Sequence, residues 1–385
     1  MFLLRLLFKN AFRHKLRSWL TILSIAIAIL AFGLLRTVID GFYSGAKRAS
    51  VNRLMTRNAI SMTFPLPSSY ETQIRQIPGV KDVAAMNWFG GIYIDEKHFF
   101  ANFAVDPASF MDLYPEYIYP PGQRGAFLKD RKGAVVGRKL AERFGWKLGD
   151  TVVLKGTIYP GIWEFVIRMI YSSVDESGDE RLFFFHWDYL NEVLKKTLPG
   201  MADHAGMYVV GIEHGDMAAQ IAAEIDKTFG NSLAETLTET EKAFNLAFLA
   251  MASSIIVIVK LVSLIVIVII VAVAANTMSM TTRERVGEYA VLKTLGFGAL
   301  RIGSLIFGES LVISLTGAIF GIIGTFPAAQ AFRHFLGGFF PAFVVSDQTI
   351  VYDVIAGLLI GLLAAIVPTW HSVHIRIADG LRRMG

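Results

Sequence analysis

NTMSMTTRERVGEYAVLKTLGF, residues 276–297, is a charged segment between two of the most apolar runs of the chain. Thr281 and Glu284 have the spacing of a capping box, which predicts that a helix begins there. Gly296 and Gly298 predict where this helix ends. Charged and apolar residues between these points are interleaved at helical spacing. The charged segment therefore predicts a short amphipathic helix on a membrane face.

Two features of the charged segment indicate that it is built for a partner surface. Glu284 and Glu288 repel each other one helical turn apart, and Gly287 inside the helix costs about 1 kcal/mol relative to alanine. A docked protein would explain both features, whereas the alternative is an ordinary polar loop folded against lipid headgroups. The residues expected to couple the segment to a partner are Arg283, Glu284, Arg285, Gly287, Glu288 and Lys293.

The composition of the chain indicates a membrane protein. Its 385 residues are 54% hydrophobic and 18% charged, with a mean hydropathy of +0.49, which soluble proteins of this size rarely reach. The net charge of +5 is compatible with nucleic-acid binding, but the basic residues lie mostly beside apolar runs, so membrane topology explains them better. The absence of cysteine excludes disulfides, thiol catalysis and thiolate metal sites.

The N-terminal part predicts an interfacial helix followed by a membrane span. Basic and apolar residues are mixed in residues 1–18, which is typical of a helix on an anionic leaflet, with a solvated basic tail as the alternative. Residues 19–39 form the first predicted span, and no small-residue cleavage site follows, which favours an anchor over a signal peptide. The basic flank predicts a cytoplasmic N-terminus.

Residues 40–245 predict a large extracytoplasmic domain of α/β or α+β type. Strand-like and helical patterns alternate along this region, which is long enough to bury its own core. Strands are predicted at residues 59–64, 80–86, 99–105, 151–154, 165–171, 182–185 and 207–212, and helices at 70–77, 138–144, 188–196 and 217–229.

Three further apolar runs bring the predicted number of transmembrane helices to four. The later spans are 246–275, 304–326 and 350–368, with a cytoplasmic coupling segment at 276–303, an outer loop at 327–349 and a tail at 369–385. Basic residues are concentrated in the coupling segment and the tail, at Arg376, Arg382 and Arg383, whereas the outer loop has only Arg333. The positive-inside rule therefore places both termini in the cytoplasm. We expect an α-helical membrane protein with four transmembrane helices and a large α/β domain between helices 1 and 2.

Small residues in the last two spans predict close helix packing. Gly317 and Gly321 form one GxxxG pattern, and Gly357 and Gly361 form another. Such patterns allow helix backbones to approach closely. The contacts can lie within one chain or between two.

Two ionisable residues lie inside the predicted spans. Lys260 interrupts the second span, and Glu309 lies in the third. Buried charges in a membrane are costly and face protein or water, so a role in transport is one interpretation. The alternatives are a structural pair between the two residues, or a Lys260 side chain that reaches the interface.

The predicted outer loop is rich in phenylalanine, at Phe335, Phe339, Phe340 and Phe343. An aromatic belt at the membrane interface is the ordinary interpretation. A lateral gate that touches acyl chains is the sharper alternative.

The sequence contains no catalytic motif. GxxxxGK[ST] is absent, so the chain has no phosphate-binding loop, and HExxH and GxSxG are absent as well. His371 and His374 have no third metal ligand nearby, and the acidic cluster at 175–180 predicts a turn rather than an active site. We predict a non-catalytic chain that binds no metal and no cofactor of its own.

Taken together, these features resemble the ABC transporter permeases of the MacB/FtsX/LolC-E type, four-span proteins whose ATPase can be a separate polypeptide. The resemblance covers nearly the whole chain. It is carried by residues 10–21, by 77–80, 135–141 and 149–150 in the predicted domain, by the charged segment, and by 309–310, 368–370 and 378–382. The nucleotide-binding domain that MacB carries at its N-terminus is missing, which implies an ATPase on another chain.

The resemblance implies the permease subunit of an ATP-driven transporter in a bacterial inner membrane. A homodimer, or a pair with a paralogue, would dock cytoplasmic ABC ATPases that bind ATP and Mg²⁺. Their closure would move a MacB-like periplasmic core domain, so that cargo is exported or lipid and lipoprotein are extracted by mechanotransmission. A periplasmic adaptor, an outer-membrane channel and membrane lipids are further implied partners, and nucleic acid is not.

Two other functions stay open at this point. The first is an FtsX-like regulator that transmits force to an extracellular hydrolase and moves no cargo. The second is a membrane sensor with an outer ligand-binding domain, which needs no ATPase.

Overall fold

A computed structural model describes residues 2–174, 178–251, 253–336 and 344–374. The chain divides into two compact units. Of the described residues, the membrane unit comprises 2–41, 253–335 and 344–374, and the α/β domain comprises 42–174 and 178–251.

The N-terminal region forms two helices, α1 (Phe2–Ala11) and α2 (Lys15–Arg48). The hydroxyl of Ser18 donates a hydrogen bond to the carbonyl of Ala11 and closes the turn between them. Helix α2 begins before the predicted span at 19–39 and ends after it. Its ends are basic residues, which do not interrupt a helix and which favour its C-terminus.

The described part of the α/β domain is built on a ten-stranded mixed sheet. Its strands are β1 (Arg53–Asn58), β2 (Leu66–Pro67), β3 (Val80–Trp88), β4 (Asn102–Val105), β5 (Tyr117–Ile118), β6 (Gly133–Gly137), β7 (Thr151–Gly156), β8 (Gly161–Ser173), β9 (Phe183–His186), β10 (His204–Ala205), β11 (Met207–Ile212) and β12 (Thr236–Thr240). The order is β12-β1-β11-β3-β4-β9-β6-β8-β5, with β7 on β8, while β2 and β10 pair separately. Strand β4 is parallel to β9, and β6 to β8.

Helices cover both faces of this sheet. They are α3 (Tyr70–Arg75), α4 (Pro107–Leu113), α5 (Pro121–Lys129), α6 (Arg138–Phe144), α7 (Trp187–Thr197), α8 (Ala218–Thr228) and α9 (Glu241–Met251). Neighbouring strand residues point to opposite faces. Leu54 therefore joins the core that contains Ile74 of α3, whereas Met55 joins the core that contains Phe110 of α4. A strand buried on both faces needs a continuous apolar run, which β11 provides.

Most predicted elements of the domain are present, and α6 coincides with its prediction at 138–144. The strand predicted at 59–64 is wrong, because the strand is β1 at 53–58. Its two arginines made β1 look too polar for a core strand. Arg53 is nevertheless buried, and it donates hydrogen bonds to Glu116 at 2.6 and 3.0 Å and to Glu241 at 2.9 Å.

The rest of the membrane unit consists of α10 (Ser253–Glu284), α11 (Val286–Thr294), α12 (Ala299–Leu336) and α13 (Asp347–His374). Within the described residues, four helices are long and apolar enough to cross a membrane: α2, α10, α12 and α13. The predicted fold, four spans with an α/β domain between the first two, is confirmed.

The first GxxxG pattern seats α12 against α2. A methyl group on Gly317 would lie 2.8 Å from Cβ of Ile25. A methyl group on Gly321 would lie 2.7 Å from the carbonyl oxygen of Ala26. Both distances are shorter than van der Waals contact, so this approach requires glycine.

The second GxxxG pattern seats α13 against α12. A methyl group on Gly357 would lie 2.6 Å from Cβ of Ala318, and one on Gly361 would collide with the hydroxyl of Ser314. Ser310 uses this closeness to donate a hydrogen bond to the carbonyl of Gly361 at 2.7 Å. Both patterns therefore make contacts within one chain.

Candidate functional site

The charged segment does not begin a helix at Thr281, so that prediction is wrong. Helix α10 continues through Glu284, and α11 starts after a break at Arg285. The hydroxyl of Thr281 donates to the carbonyl of Thr277 at 3.0 Å, as hydroxyls inside a helix do, and is not a cap. Gly287 lies in the first turn of α11 rather than in a helix interior, where glycine costs most.

The predicted helix end at Gly296 is confirmed. Gly296 has a positive φ of 87°. Its N–H bonds to the carbonyl of Lys293 at 3.1 Å, and the N–H of Phe297 bonds to the carbonyl of Leu292 at 3.0 Å. This pair of bonds is a Schellman motif. Gly298 immediately precedes α12 and belongs to the start of that helix.

The two glutamates that were expected to repel are each neutralised by arginines of the same chain. Arg17 donates two hydrogen bonds to Glu284, at 2.7 and 2.8 Å. Glu288 accepts hydrogen bonds from Arg13 and, at 3.0 Å, from Arg285. Burial alone would raise the pKa of Glu288, but these two hydrogen bonds lower it below its ordinary value. No partner protein is needed to relieve the repulsion.

A buried ion pair ties the charged segment to α12. Arg285 donates to both carboxylate oxygens of Glu309, at 2.6 and 2.8 Å, and the two residues are 8% and 3% exposed. The ring of Tyr289 packs under the guanidinium of Arg285, whose Cζ lies 5.4 Å from the ring centroid. The suggested pair between Lys260 and Glu309 is therefore wrong. Lys260 is an exposed residue of α10.

Together these contacts form an ionic network of Arg13, Glu288, Arg285 and Glu309. It joins the turn before α2, helix α11 and helix α12. The outer contact of Arg13 with Glu288 is half exposed and contributes little by itself. The inner pair is different, because removal of one partner would leave a buried charge uncompensated. The inner pair therefore fixes α11 to α12.

The predicted coupling residues are not equally accessible. Arg283 is exposed, and the side chains of Glu284 and Glu288 are 37% and 43% exposed. Arg285 is buried in the network, and Nζ of Lys293 donates to the carbonyl of Val373 near the end of α13 at 2.8 Å. That these residues contact a partner stays a prediction.

Sequence reasoning missed two features of this site. One is the pair of arginines, Arg13 and Arg17, although their spacing of four residues matches that of the two glutamates. The other is an exposed apolar patch at the end of α11 and the start of α12, formed by Val291, Leu295, Phe297 and Leu300. Glycines at a helix end with large apolar neighbours were the available signal for this patch.

The side chains of this site form ion pairs and hydrogen bonds between helices. Among the described residues, no group of three or more metal-ligating side chains occurs. Several sequence predictions lie outside the described residues, namely those on Asp175, Glu176, Phe339, Phe340, Phe343, the side chains of Arg333 and Phe335, Arg376, and residues 378–383. The arrangement binds and positions helices, and it can pass a displacement from one helix to another.

Comparison with known proteins gives matches along most of the chain. A family model described as MacB-like periplasmic core domain matches residues 18–228, more than half of the chain, and one described as FtsX-like permease C-terminal matches residues 260–377.

Relatives match over nearly their full length. The uncharacterized ABC transporter permease MJ1507 of Methanocaldococcus jannaschii is 23% identical over 97% of this chain and 96% of its own. The uncharacterized ABC transporter permease YvrN of Bacillus subtilis is 23% identical over 98% of each chain.

Solved structures are similar to the α/β domain at low identity. The extracellular domain of the noncanonic ABC-type transporter YknZ from Gram-positive bacteria matches 49% of this chain and 100% of its own, at 15% identity and a TM-score of 0.35. The periplasmic region of MacB from Actinobacillus actinomycetemcomitans matches 52% of this chain and 94% of its own, at 10% identity and a TM-score of 0.37. The family models, which together cover both units, show that this chain belongs to the FtsX-like permeases with a MacB-like periplasmic core domain, the MacB/FtsX type of ABC transporter permease.

Proposed function

We propose that the chain is the permease subunit of an ATP-driven transporter, and that an ATPase on a separate polypeptide docks on the charged segment. The observation that carries this proposal is the inner ion pair between Arg285 and Glu309. This ion pair binds α11, which is too short to span a membrane, to α12, which is long enough to span one. The sequence has no phosphate-binding loop, so the energy for movement enters from a partner that binds ATP and Mg²⁺.

The apolar patch supplies the docking surface. Leu295 and Leu300 are its most exposed residues, at 70% and 90%. Protein interfaces commonly have an apolar core with few charged residues, surrounded by a polar rim. Arg283 and the exposed parts of Glu284 and Glu288 provide such a rim. In this arrangement the patch faces the cytoplasm, and the α/β domain lies on the opposite side of the membrane.

In this proposal the ionic network transmits the displacement of α11 by a docked ATPase to the spanning helices. Closure of two docked ATPases displaces α11 in each of two permease copies. Because Arg285 is bonded to Glu309, α12 moves with α11 rather than sliding past it. The spanning helices pass the displacement to the extracytoplasmic domain. Cargo is then exported, or lipid or lipoprotein is extracted, by mechanotransmission, and an adaptor and an outer-membrane channel can receive it.

Capture of the ATPase tests this function directly. The tagged full-length chain is purified from its native membrane in mild detergent, and bound proteins are identified and their ATP hydrolysis is measured. Leu295→Glu should abolish recovery of an ATPase, because it replaces an exposed apolar residue of the patch with a charge. Leu233→Glu, on a fully exposed leucine of the α/β domain, is the matched control and should leave recovery unchanged. Equal recovery with both variants, or no ATPase with the wild-type chain, would contradict the proposal.

A further inference from the structure

Asp353 is a buried carboxyl group that the ionic network does not include. It lies about two helical turns from the start of α13, and it is 0% exposed. Neither of its carboxyl oxygens has a hydrogen-bond partner among the residues that the structure describes. An ionised carboxylate in such a place is strongly unfavourable, and the usual response is to take up a proton. The surroundings therefore favour the neutral acid in this conformation.

The carboxyl group of Asp353 packs closely against Gly33 of α2. A methyl group on Gly33 of α2 would lie 2.8 Å from Oδ2 of Asp353 and 3.1 Å from Thr325 of α12. The carboxyl group of Asp353 thus occupies space on α2 that is free only because Gly33 has no side chain. The hydroxyl of Thr325 donates to the carbonyl of Gly321 at 2.9 Å, so its proton is already used.

One cation, Arg36, lies nearby, and among the described contacts it forms no hydrogen bond with Asp353. Arg36 follows Gly33 by one turn of α2, and its charge acts on Asp353 electrostatically. Its guanidinium lies over the ring of Tyr352, 4.3 Å from the centroid, and its Nε is buried without a hydrogen-bond partner in the described part of the chain. Arg36 and Asp353 are therefore neighbours that are not bonded in this conformation.

The other polar groups around this site are engaged or point elsewhere. Asp40 of α2 accepts hydrogen bonds from the hydroxyls of Ser346 and Thr349, at 2.6 and 3.0 Å. Helix α12 contributes Thr325, which does not titrate. On α10, which packs along α13, Lys260 is exposed. Among the described residues, Arg36, Tyr352 and the hydrogen-bonded Asp40 are thus the titratable groups named around Asp353.

We propose that Asp353 is a proton-binding site that changes state when the membrane helices move. The acid is protonated in the conformation described here. In a second conformation Arg36 leaves the ring of Tyr352 and pairs with Asp353. The Oδ–H bond then breaks, the proton passes to solvent water, and the carboxylate is held by the guanidinium, which stays protonated throughout. The site goes beyond the proposed function, and it makes the helix movement sensitive to pH.

Infrared titration of the purified full-length chain tests this site without any ATPase, so its result is separate from the test of function. A protonated carboxyl gives a C=O stretching band that a carboxylate lacks. The wild-type chain should show such a band at neutral pH and lose it as the pH rises. Asp353→Asn should lack the band, whereas Asp347→Asn, on an exposed acid of the same helix, should keep it.

Arg36→Gln separates the roles of the two residues. Without the guanidinium the carboxylate has no partner, so the band should persist to a pH higher by about one unit or more. Gln is neutral and keeps a polar side chain, and retained thermal unfolding behaviour confirms that the variant folds. No difference in this band between wild type and Asp353→Asn at neutral pH would overturn the proposal, since Asp353 would then be ionised in this conformation. An unchanged midpoint in Arg36→Gln would overturn the assigned role of Arg36.

Discussion

Glu309 and Asp353 are two buried acids of one membrane unit, and they are held in opposite ways. Glu309 accepts two hydrogen bonds from Arg285, whereas Asp353 accepts none from its neighbour Arg36 among the described contacts. Both acids border helix α12, since Glu309 lies on it and Asp353 packs beside Thr325. One end of α12 is therefore fixed by the complete ion pair of Arg285 and Glu309. The other end lies beside Asp353, which forms no hydrogen bond with Arg36 among the described contacts.

This difference indicates that the Glu309 end of α12 transmits force, and that helix positions near Asp353 can change. A buried ion pair holds its helices in one position because separation exposes two uncompensated charges. An unpaired acid beside an unpaired arginine has a second arrangement available to it. We expect α11 and α12 to move as one body, and the relative position of α2 and α13 near Asp353 to differ between states.

Loss of the inner ion pair should have the largest effect. Arg285→Met leaves Glu309 buried without its partner, so the free energy of unfolding should fall by about 3–5 kcal/mol. Thermal or denaturant unfolding of the detergent-solubilised chain measures this. Arg285→Met combined with Glu309→Leu removes both charges and should recover most of the loss. A single variant as stable as wild type would show that the pair does not hold the helices.

Neutralisation of each acid in turn compares the two ends directly. Glu309→Gln keeps the shape but removes the charge that Arg285 needs, and should cost about 2 kcal/mol. Asp353→Asn replaces a neutral acid by a neutral amide and should cost much less. The same unfolding measurement serves both variants. Equal losses would break the comparison, because they would mean that Asp353 is ionised and paired.

Gly317 lies between the two ends of α12 and tests how firmly the helix is seated. Gly317→Ala forces a methyl group to 2.8 Å from Ile25, and should cost about 1–3 kcal/mol in unfolding free energy. Gly45→Ala, in α2 where nothing lies within 4 Å, is the control. It should be neutral or slightly stabilising because alanine favours a helix. A Gly317 variant that matches this control would show that α12 packs loosely against α2.

The smallest effect concerns the exposed end of the ionic network. The folded-state pKa of Glu288 lies below its ordinary value, so its stabilising contribution is present at neutral pH and is lost as the pH falls through that lowered pKa. Because Glu288 is 43% exposed, the contribution should be under about 1 kcal/mol. Stability measured on the acid side should fall slightly less steeply for Glu288→Gln than for wild type. Glu224→Gln, on an exposed acid of α8, is the control, and an equal slope in all three chains would contradict the prediction.

The sequence predicts those features that depend on local pattern. The apolar runs predict four spans, the alternation of patterns predicts the α/β domain, and Gly296 predicts the end of α11, because each signal lies within a few neighbouring residues. Helix α6 follows its pattern from Arg138 to Phe144 for the same reason.

The features that depend on distant residues were not predictable in this way. Arg13 and Glu288 are separated by 275 positions, so nothing local shows that the glutamates of the charged segment are already paired. The capping-box spacing at Thr281 failed because the apolar helix before it continues, and its hydroxyl bonds backwards. The sequence does show that Asp353 lies inside the predicted fourth span. That its carboxyl group has no hydrogen-bond partner among the described residues is shown only by the packing of the helices.

The central claim is that the inner ion pair couples the docked ATPase to the spanning helices. The direct measurement is ATP hydrolysis by the captured ATPase, reconstituted with the full-length chain in vesicles of its native lipids. The double variant, Arg285→Met with Glu309→Leu, keeps the apolar patch and should still bind the ATPase, but hydrolysis should fall to the rate of the ATPase alone. Binding together with wild-type stimulation of hydrolysis in this variant would contradict the account.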